Sequence, residues 1–302
     1  MPANSSRTLR LASTTEIGGS RHGGYPPDSA VAPKVTMALF GAFSLHVGEH
    51  RIDVSSRLAA ILAYLARRSG VGVPREHLAE IYWGGLSDEQ GRRNLRVALC
   101  RINQLMRSWL PNNCNFIQSS SNLVWLPHYP FVQIDANDFE AIVESCCFSQ
   151  QVGSVDTIGK LRRGVQLYRH DLLCGIDESW VVAERESLRS KFLLSLRCLA
   201  IAALESNDLH DALYWCERSL SDDVGNEETA LLAMKIAAKL GNRARAVSIF
   251  RSLSLALRRE YSLSPSPDVV ALLQDLTKDP PKAASFEIDL RLLKRSMFGH
   301  FA

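Results

Sequence analysis

The densest chemistry in this 302-residue chain lies in four arginines and an asparagine: Arg92, Arg93, Asn94, Arg96 and Arg101. A guanidinium is a planar, always-charged fork of donors. It matches phosphate oxygens and the O6/N7 edge of guanine, and an Asn or Gln amide matches adenine in the same way. On a helix turning by about 100° per residue, Leu95, Leu99, Ile102 and Met106 form one apolar stripe, spaced four, three and four. Arg93, Arg96 and Gln104 then face outward, while Arg92 and Arg101 lie on opposite flanks, with Asn94 on the Arg101 side. Such a helix fits the major groove of DNA. The wheel alone equally fits a basic face turned to water.

The flanking elements favour the groove. Ser87-Asp88-Glu89-Gln90 has capping-box form, which predicts a helix from Asp88 to about Trp109, before Pro111. Upstream, Pro74 opens a short helix carrying Leu78 and Ile81, and the loop Trp83-Gly84-Gly85-Leu86 joins the two. A first helix carries Leu58, Ile61, Leu62 and Leu65, with Ser55 or Ser56 as N-cap and Gly70 as stop. Before it, Val35/Met37/Leu39, Phe43/Leu45/Val47 and Ile52/Val54 alternate as short antiparallel strands, punctuated by Gly41 and Gly48. After the third helix, Phe116–Gln118 and Leu123–Leu126 flank the polar tip Ser119–Asn122, which predicts a hairpin. Strands, three helices and a hairpin in that order make a winged helix-turn-helix. The tip residues Ser120, Ser121 and Asn122 are small donors suited to phosphate, although a plain turn uses the same types.

Charge divides the chain. Residues 57–107 hold nine Arg, no Lys and four acids, a net of +5, whereas 135–277 hold 16 basic and 21 acidic residues, a net of −5. The basic part is a candidate polyanion binder. Residues 1–34, with Gly-Gly twice and Pro26-Pro27, read as a disordered leader. We expect a winged-helix domain at 35–134, a helical domain at 135–277 and a tail at 278–302.

The acidic half carries helical stripes: Leu188, Phe192, Leu196, Leu199 and Ala203, then Ala246, Phe250, Leu253 and Leu257. Asn207–Leu213 aligns with Gly241–Val247 at an offset of 34 residues, the tetratricopeptide period. Asn207 and Gly241 then fall at helix–helix turns, and Ala212 and Ala246 where helices approach closely. Pro265 and Pro267 precede a helix with Val269, Leu272, Leu273 and Leu276. The tail, with Phe286, Ile288, Leu290, Leu292 and Leu293, reads either as an amphipathic helix for self-association or as a frayed end. The fold class is therefore mainly α with a small antiparallel β part, a winged helix followed by an all-α repeat.

Catalytic constellations are wanting, so no enzyme activity, cofactor or metal is expected. Gly153 to Lys160 imitates a phosphate loop, but five residues separate its glycines where four are needed, and Leu161 stands where Ser or Thr would bind magnesium. Asp177-Glu178 and Asp222-Asp223 read as acids at helix starts. Seven Cys without C-x-x-C spacing read as reduced, buried thiols of a cytoplasmic protein, with Cys146-Cys147 as half-buried packing. No stretch suits a signal peptide or a membrane span.

The stretch from Leu39 to Phe139 resembles the DNA-binding domain of the SARP family (Streptomyces antibiotic regulatory proteins), related to the OmpR-type winged helix. The carrying residues are LFGAFSLHVGEHRIDVSSRLAAILAYLA, VPREHLAEIYW, RRNLRVALCRINQLM and VQIDANDFE. LYRHDLLCGIDESWVVAERESLRSKFLLSLRCLA and LRREYSLSPSPDVVALLQDL resemble the bacterial transcriptional activator domain that follows it in the family. The resemblance implies an activator that binds direct repeats in promoter DNA and recruits RNA polymerase through its sigma or alpha subunit, with a homodimer on DNA among the partners. It gives Arg92, Arg93, Asn94, Arg96 and Arg101 the recognition role. Ser55, Ser56, Arg57 and the tip Ser120–Asn122 are expected on the DNA backbone, and Trp83, Gly84, Gly85 and Leu86 opposite polymerase. The family's loop is usually more charged than Gly84-Gly85, and Asn103 and Gln104 stand where many members have Arg or Lys. A helical-repeat adaptor and a ligand-sensing regulator are the alternative readings.

Overall fold

The computed structural model describes residues 33–110, 115–147, 154–278 and 286–299, the last four of these by backbone alone. The expected leader up to residue 32, Pro111, Cys114, Gly153 and Pro280-Pro281 lie outside the described residues. The described part belongs to one compact unit.

Alternation builds the first sheet. β1 (Val35–Ala38), β2 (Ser44–Val47) and β3 (His50–Ile52) form an antiparallel meander in which Val35, Met37, Leu45 and Val47 turn inward. Gly41 and Gly48 adopt left-handed φ of 91° and 58° at its turns, where a Cβ would be strained. A fourth strand, β7 (Val132–Ile134), pairs parallel to β1, Val35 opposite Val132. The sheet is therefore mixed, not purely antiparallel. His46 and His50, four residues apart, lie on the two antiparallel strands β2 and β3 and do not share a helical face.

Three helices follow: α1 (Ser56–Arg67), α2 (Arg75–Trp83) and α3 (Asp88–Arg107). Every residue of α1 from Leu58 to Ala66 is buried, so the expected single stripe understates it: α1 is the central rod of the domain. The wing has three strands, β4 (Val73–Pro74), β6 (Leu123–Trp125) and β5 (Gln118–Ser119), in the order β4-β6-β5. Asn103, half-buried on α3, fixes the wing. Its amide donates to the Ile117 carbonyl at 3.0 Å and accepts the Ile117 N–H at 2.8 Å.

The rest is helical: α4 (Asp135–Cys147), α5 (Val155–Leu167), α6 (Ser179–Glu205), α7 (Leu209–Asp222), α8 (Glu227–Lys239), α9 (Arg243–Ala256), α10 (Pro267–Thr277) and α11 (Leu290–Gly299), with a π-helical turn at Leu257–Tyr261. The 34-residue repeat is visible atom for atom. Asn207 and Gly241 take left-handed φ of 58° and 75°. The next residues, Asp208 and Asn242, accept N-cap bonds from the N–H of Asp211 and Arg245. Asp208 N–H and Asn242 N–H reach back to the carbonyls of Ala203 and Ala237 at 2.8 and 2.9 Å, the same C-terminal lock on both helices. Ala212 and Ala246 are fully buried. Asp177 and Glu178 do precede α6. Asp222 and Asp223, however, end α7 and do not start α8, whose N-cap is Asn226.

The two halves are stitched together. Leu39–Gly41 lies antiparallel to Asp171–Cys174 through Leu173 N–H to Leu39 O at 2.7 Å and Gly41 N–H to Asp171 O at 2.9 Å. The Asp135 carboxylate accepts the N–H groups of Leu39 and Phe40, and burial raises its pKa. Phe40, Phe139, Tyr168 and Phe192 pack behind this seam, Tyr168 stacked on Phe192 and the others edge-on or tilted. Arg67, its side chain 5% exposed, donates to Glu140 at 2.7 Å and to Glu184 at 2.9 Å, and Lys191 also bonds Glu140. Arg68 lies 3.9 Å over the Tyr64 ring and pairs with Glu184 at 3.4 Å.

Candidate nucleic-acid interface

The helix-turn-helix is set by small residues. Gly91 lets α3 cross α2 closely, for a Cβ there would lie 3.6 Å from Ala79 Cβ and 3.8 Å from Trp83 Cβ. Ser87 caps α3, accepting the Gln90 N–H at 3.4 Å, as the capping box requires. Leu95, Leu99, Ile102 and Met106 are buried as the spacing predicts, and Ala98 joins them. This fixes what points out. Arg92, Arg93, Arg96, Arg101, Gln104 and Arg107 are exposed, and Asn94 is half-buried.

These residues are not equivalent. Arg92 is drawn toward α2 by an ion pair with Glu76 at 2.8 Å. Arg93, Arg96 and Arg101 have no ion pair among the described residues. Between them on the outer face stand Val97, 44% exposed, and the exposed thiol of Cys100. Neither was singled out by the charge-led reading, although the wheel places both within about 40° of Arg93. Burial cannot explain an outward Val on a helix this polar. Its branched methyls are of the kind that meet a thymine methyl group.

A cleft of about 430 Å³ separates the outer flank of α3 from the wing, lined by Arg75, Glu76, Arg92, Arg96, Ser121 and Asn122. The wing tip is held at its edge. Arg75 N–H donates to Asn122 O at 2.9 Å, Arg75 Nε donates to Ser120 O at 3.1 Å, and the Ser120 hydroxyl accepts Leu123 N–H at 3.1 Å. Arg75, which sequence reasoning passed over, thus joins α2 to the tip. Of the expected recognition residues, Arg92 and Arg96 face the tip across this cleft, whereas Arg93, Asn94 and Arg101 are not in its lining.

It does not bring Ser55, Ser56 and Arg57 there. Arg57 sits at the other end of α2, donating to Tyr82 O at 3.0 Å and pairing with Glu178 at 3.4 Å, with its guanidinium 6.0 Å from the Trp83 ring centroid. The nine residues of α2 put about 12 Å between that end and the Arg75 end. Ser55 and Ser56 begin α1 and are exposed.

The loop Trp83–Leu86 is a tight turn closed by Leu86 N–H to Trp83 O at 2.9 Å. A Cβ on Gly84 would stand 2.6 Å from the Glu80 carbonyl oxygen, which explains a glycine where a charged side chain was anticipated. Trp83 packs partly on the core, and Leu86 is 48% exposed.

No group of His, Cys, Asp or Glu among the described residues could hold a metal ion, and no described helix is long and apolar enough to cross a membrane. From Ser154 onward the loop that imitated a phosphate site is the N-cap and body of α5. Cys146 and Cys147 are fully buried, not half-buried. Cys147 Sγ lies 3.3 Å from Cys198 Sγ, and that contact, with burial, pushes the Cys147 thiol far above its ordinary pKa, so it stays protonated and inert.

Comparison with known proteins places these parts. Residues 134–277, just under half of the chain, match the family model of the bacterial transcriptional activator domain. Mycobacterium tuberculosis EmbR, solved in complex with a low-affinity phosphopeptide, has the same fold at a TM-score of 0.70 and 14% identity, over 88% of this chain and 70% of that one. No curated protein matches the sequence. Residues 134–277 are thus similar to a bacterial transcriptional activator domain, and they follow a winged helix in a chain whose fold is that of EmbR.

Proposed function

We propose that the chain binds promoter DNA with α3 in the major groove and the wing along the adjacent backbone. The observation that carries this reading is the outer face of α3. Arg93, Arg96 and Arg101 stand exposed there and without ion pairs among the described residues, and Arg96 faces the wing tip across a cleft. In this reading Arg93 and Arg96 meet guanine edges, Val97 meets a thymine methyl, and Arg101 takes phosphate on one flank. Arg92, already held by Glu76, contributes to the backbone side with Ser120, Ser121 and Asn122. Arg57 is assigned to the joint between the halves and not to DNA. Direct repeats on one face of the duplex would seat two copies, and the exposed turn Trp83–Leu86 is offered to RNA polymerase.

The test is selection of bound fragments from genomic DNA, footprinting of the best, and titration at several salt concentrations. About six phosphate contacts predict a roughly thousandfold loss of affinity between about 50 and 200 mM salt. Failure to enrich any fragment, or a flat salt dependence, overturns the reading.

A further inference from the structure

The C-terminal helix covers something. In a tetratricopeptide-like stack the first helix of each pair lines the inner surface, here α6 and α8, and such arrays bind partners on that surface. α11 packs against α6 on this side. Leu293 descends between Leu196, Ala200, Trp215 and Leu232 over a small cavity, and Phe286 is buried. The indole N–H of Trp215, a residue 7% exposed, has no hydrogen-bond partner. The polar ties are few among the described residues: Lys294 with Glu205, and Lys235 Nζ donating to Glu287 O at 3.1 Å. Beside α11 an open trough of about 640 Å³ remains, with Leu231 and Leu292 in its wall and Glu228, Lys235, Asp289 and Arg295 on its rim. Leu292 is 63% exposed.

The groove is thus apolar at its floor and carries acid (Glu205) where its occupant carries base (Lys294). A surface of this kind left open would expose a contiguous apolar patch, which marks an interaction site. We propose that the inner face of α6 and α8 is a docking groove for an amphipathic helix with a leucine anchor and a basic flank, and that α11 occupies it within the chain until such a helix displaces it. α11 itself is the observation that fixes the partner's chemistry: a short helix, with Leu293 as the knob and Lys294 as the charge.

Competition decides it. A fluorescent peptide of residues 286–302 is titrated by anisotropy into the full chain. A tethered helix competes at high effective concentration, so Leu293→Asp with Lys294→Glu should bind the peptide about tenfold or more tightly than the unaltered chain. Lys294→Glu alone, an exposed position that leaves the fold intact, should give a smaller gain in the same direction. Glu205→Lys in the opened chain should lose the peptide and regain it when the peptide carries Lys294→Glu. Equal affinity of all chains, absence of binding to the opened chain, or failure of the charge swap overturns the proposal. So does a dimer that Leu293→Asp dissolves, since the occupant would then be a second copy.

Discussion

Two groups of arginines, 25 to 44 positions apart in sequence, meet opposite fates. Arg67 and Arg68 are folded against Glu140 and Glu184 in the seam between the halves, and Arg57 reaches Glu178. Arg93, Arg96 and Arg101 stand in water on α3. The side chains are chemically identical, and what differs is whether the fold brings a carboxylate and a low-dielectric wall to them. A charge count over 57–107 therefore overstates the basic face proposed to meet DNA, because three of its nine arginines neutralise acids of the second half. The proposed function rests on the cations that the fold leaves unsatisfied.

That contrast can be broken most forcefully at Arg67. Arg67→Ala leaves Glu140 to Lys191 and Glu184 to Arg68 and removes their most buried partner, and should cost about 3 kcal/mol of stability, read as a lowered urea midpoint. Arg93→Ala and Arg96→Ala should move the same midpoint by less than about 0.5 kcal/mol, yet each should weaken binding to a selected DNA fragment by about 1–3 kcal/mol. If the seam and α3 variants behave alike, the division is wrong. Asn103→Ala removes two bonds to Ile117 and should cost about 1–3 kcal/mol, weakening DNA binding only as far as the wing loosens. Gly241→Ala, at a φ of 75°, should cost about 1 kcal/mol, while Asn207→Gly at the equivalent turn should change stability by less than half of that.

The gentlest probe is pH. Arg67 and Lys191 hold the Glu140 carboxyl below its ordinary value of 4.5, against the opposing effect of burial. A carboxylate with a lowered folded pKa gives stability that is present above its unfolded pKa and is lost as pH falls through the folded one. Urea midpoints should therefore decline as the solution is acidified below about pH 4.5, and Arg67→Ala should blunt that decline. A pH profile unaltered by the substitution would separate Glu140 from the seam.

Local signals in the sequence were enough for α3. Ser87 and Gln90 marked its start, and the four-three-four spacing named its buried side. They were enough for the repeat as well, because Asn207 and Gly241 each mark a left-handed turn that any homologous pair of helices needs. Long-range pairing was not legible. β7 joins β1 across about a hundred residues, and its three residues carry no period that a window could detect. The antiparallel contact of Leu39–Gly41 with Asp171–Cys174 is a tertiary event of the same kind, and so is the fate of Arg57. On the outer face of α3 and beside the wing, charge singles out the arginines and passes over Val97 and Arg75, one because it is apolar, the other because its contacts are set by where the wing folds back.

The most direct measurement of the central claim is the base preference of the Arg93→Ala and Arg96→Ala chains, by repeated selection from the same randomised DNA pool. Arginines that read base edges predict that each substitution relaxes preference at particular base pairs, with an unchanged urea midpoint. An unaltered consensus in both variants would contradict the claim and return α3 to the status of a solvated basic helix.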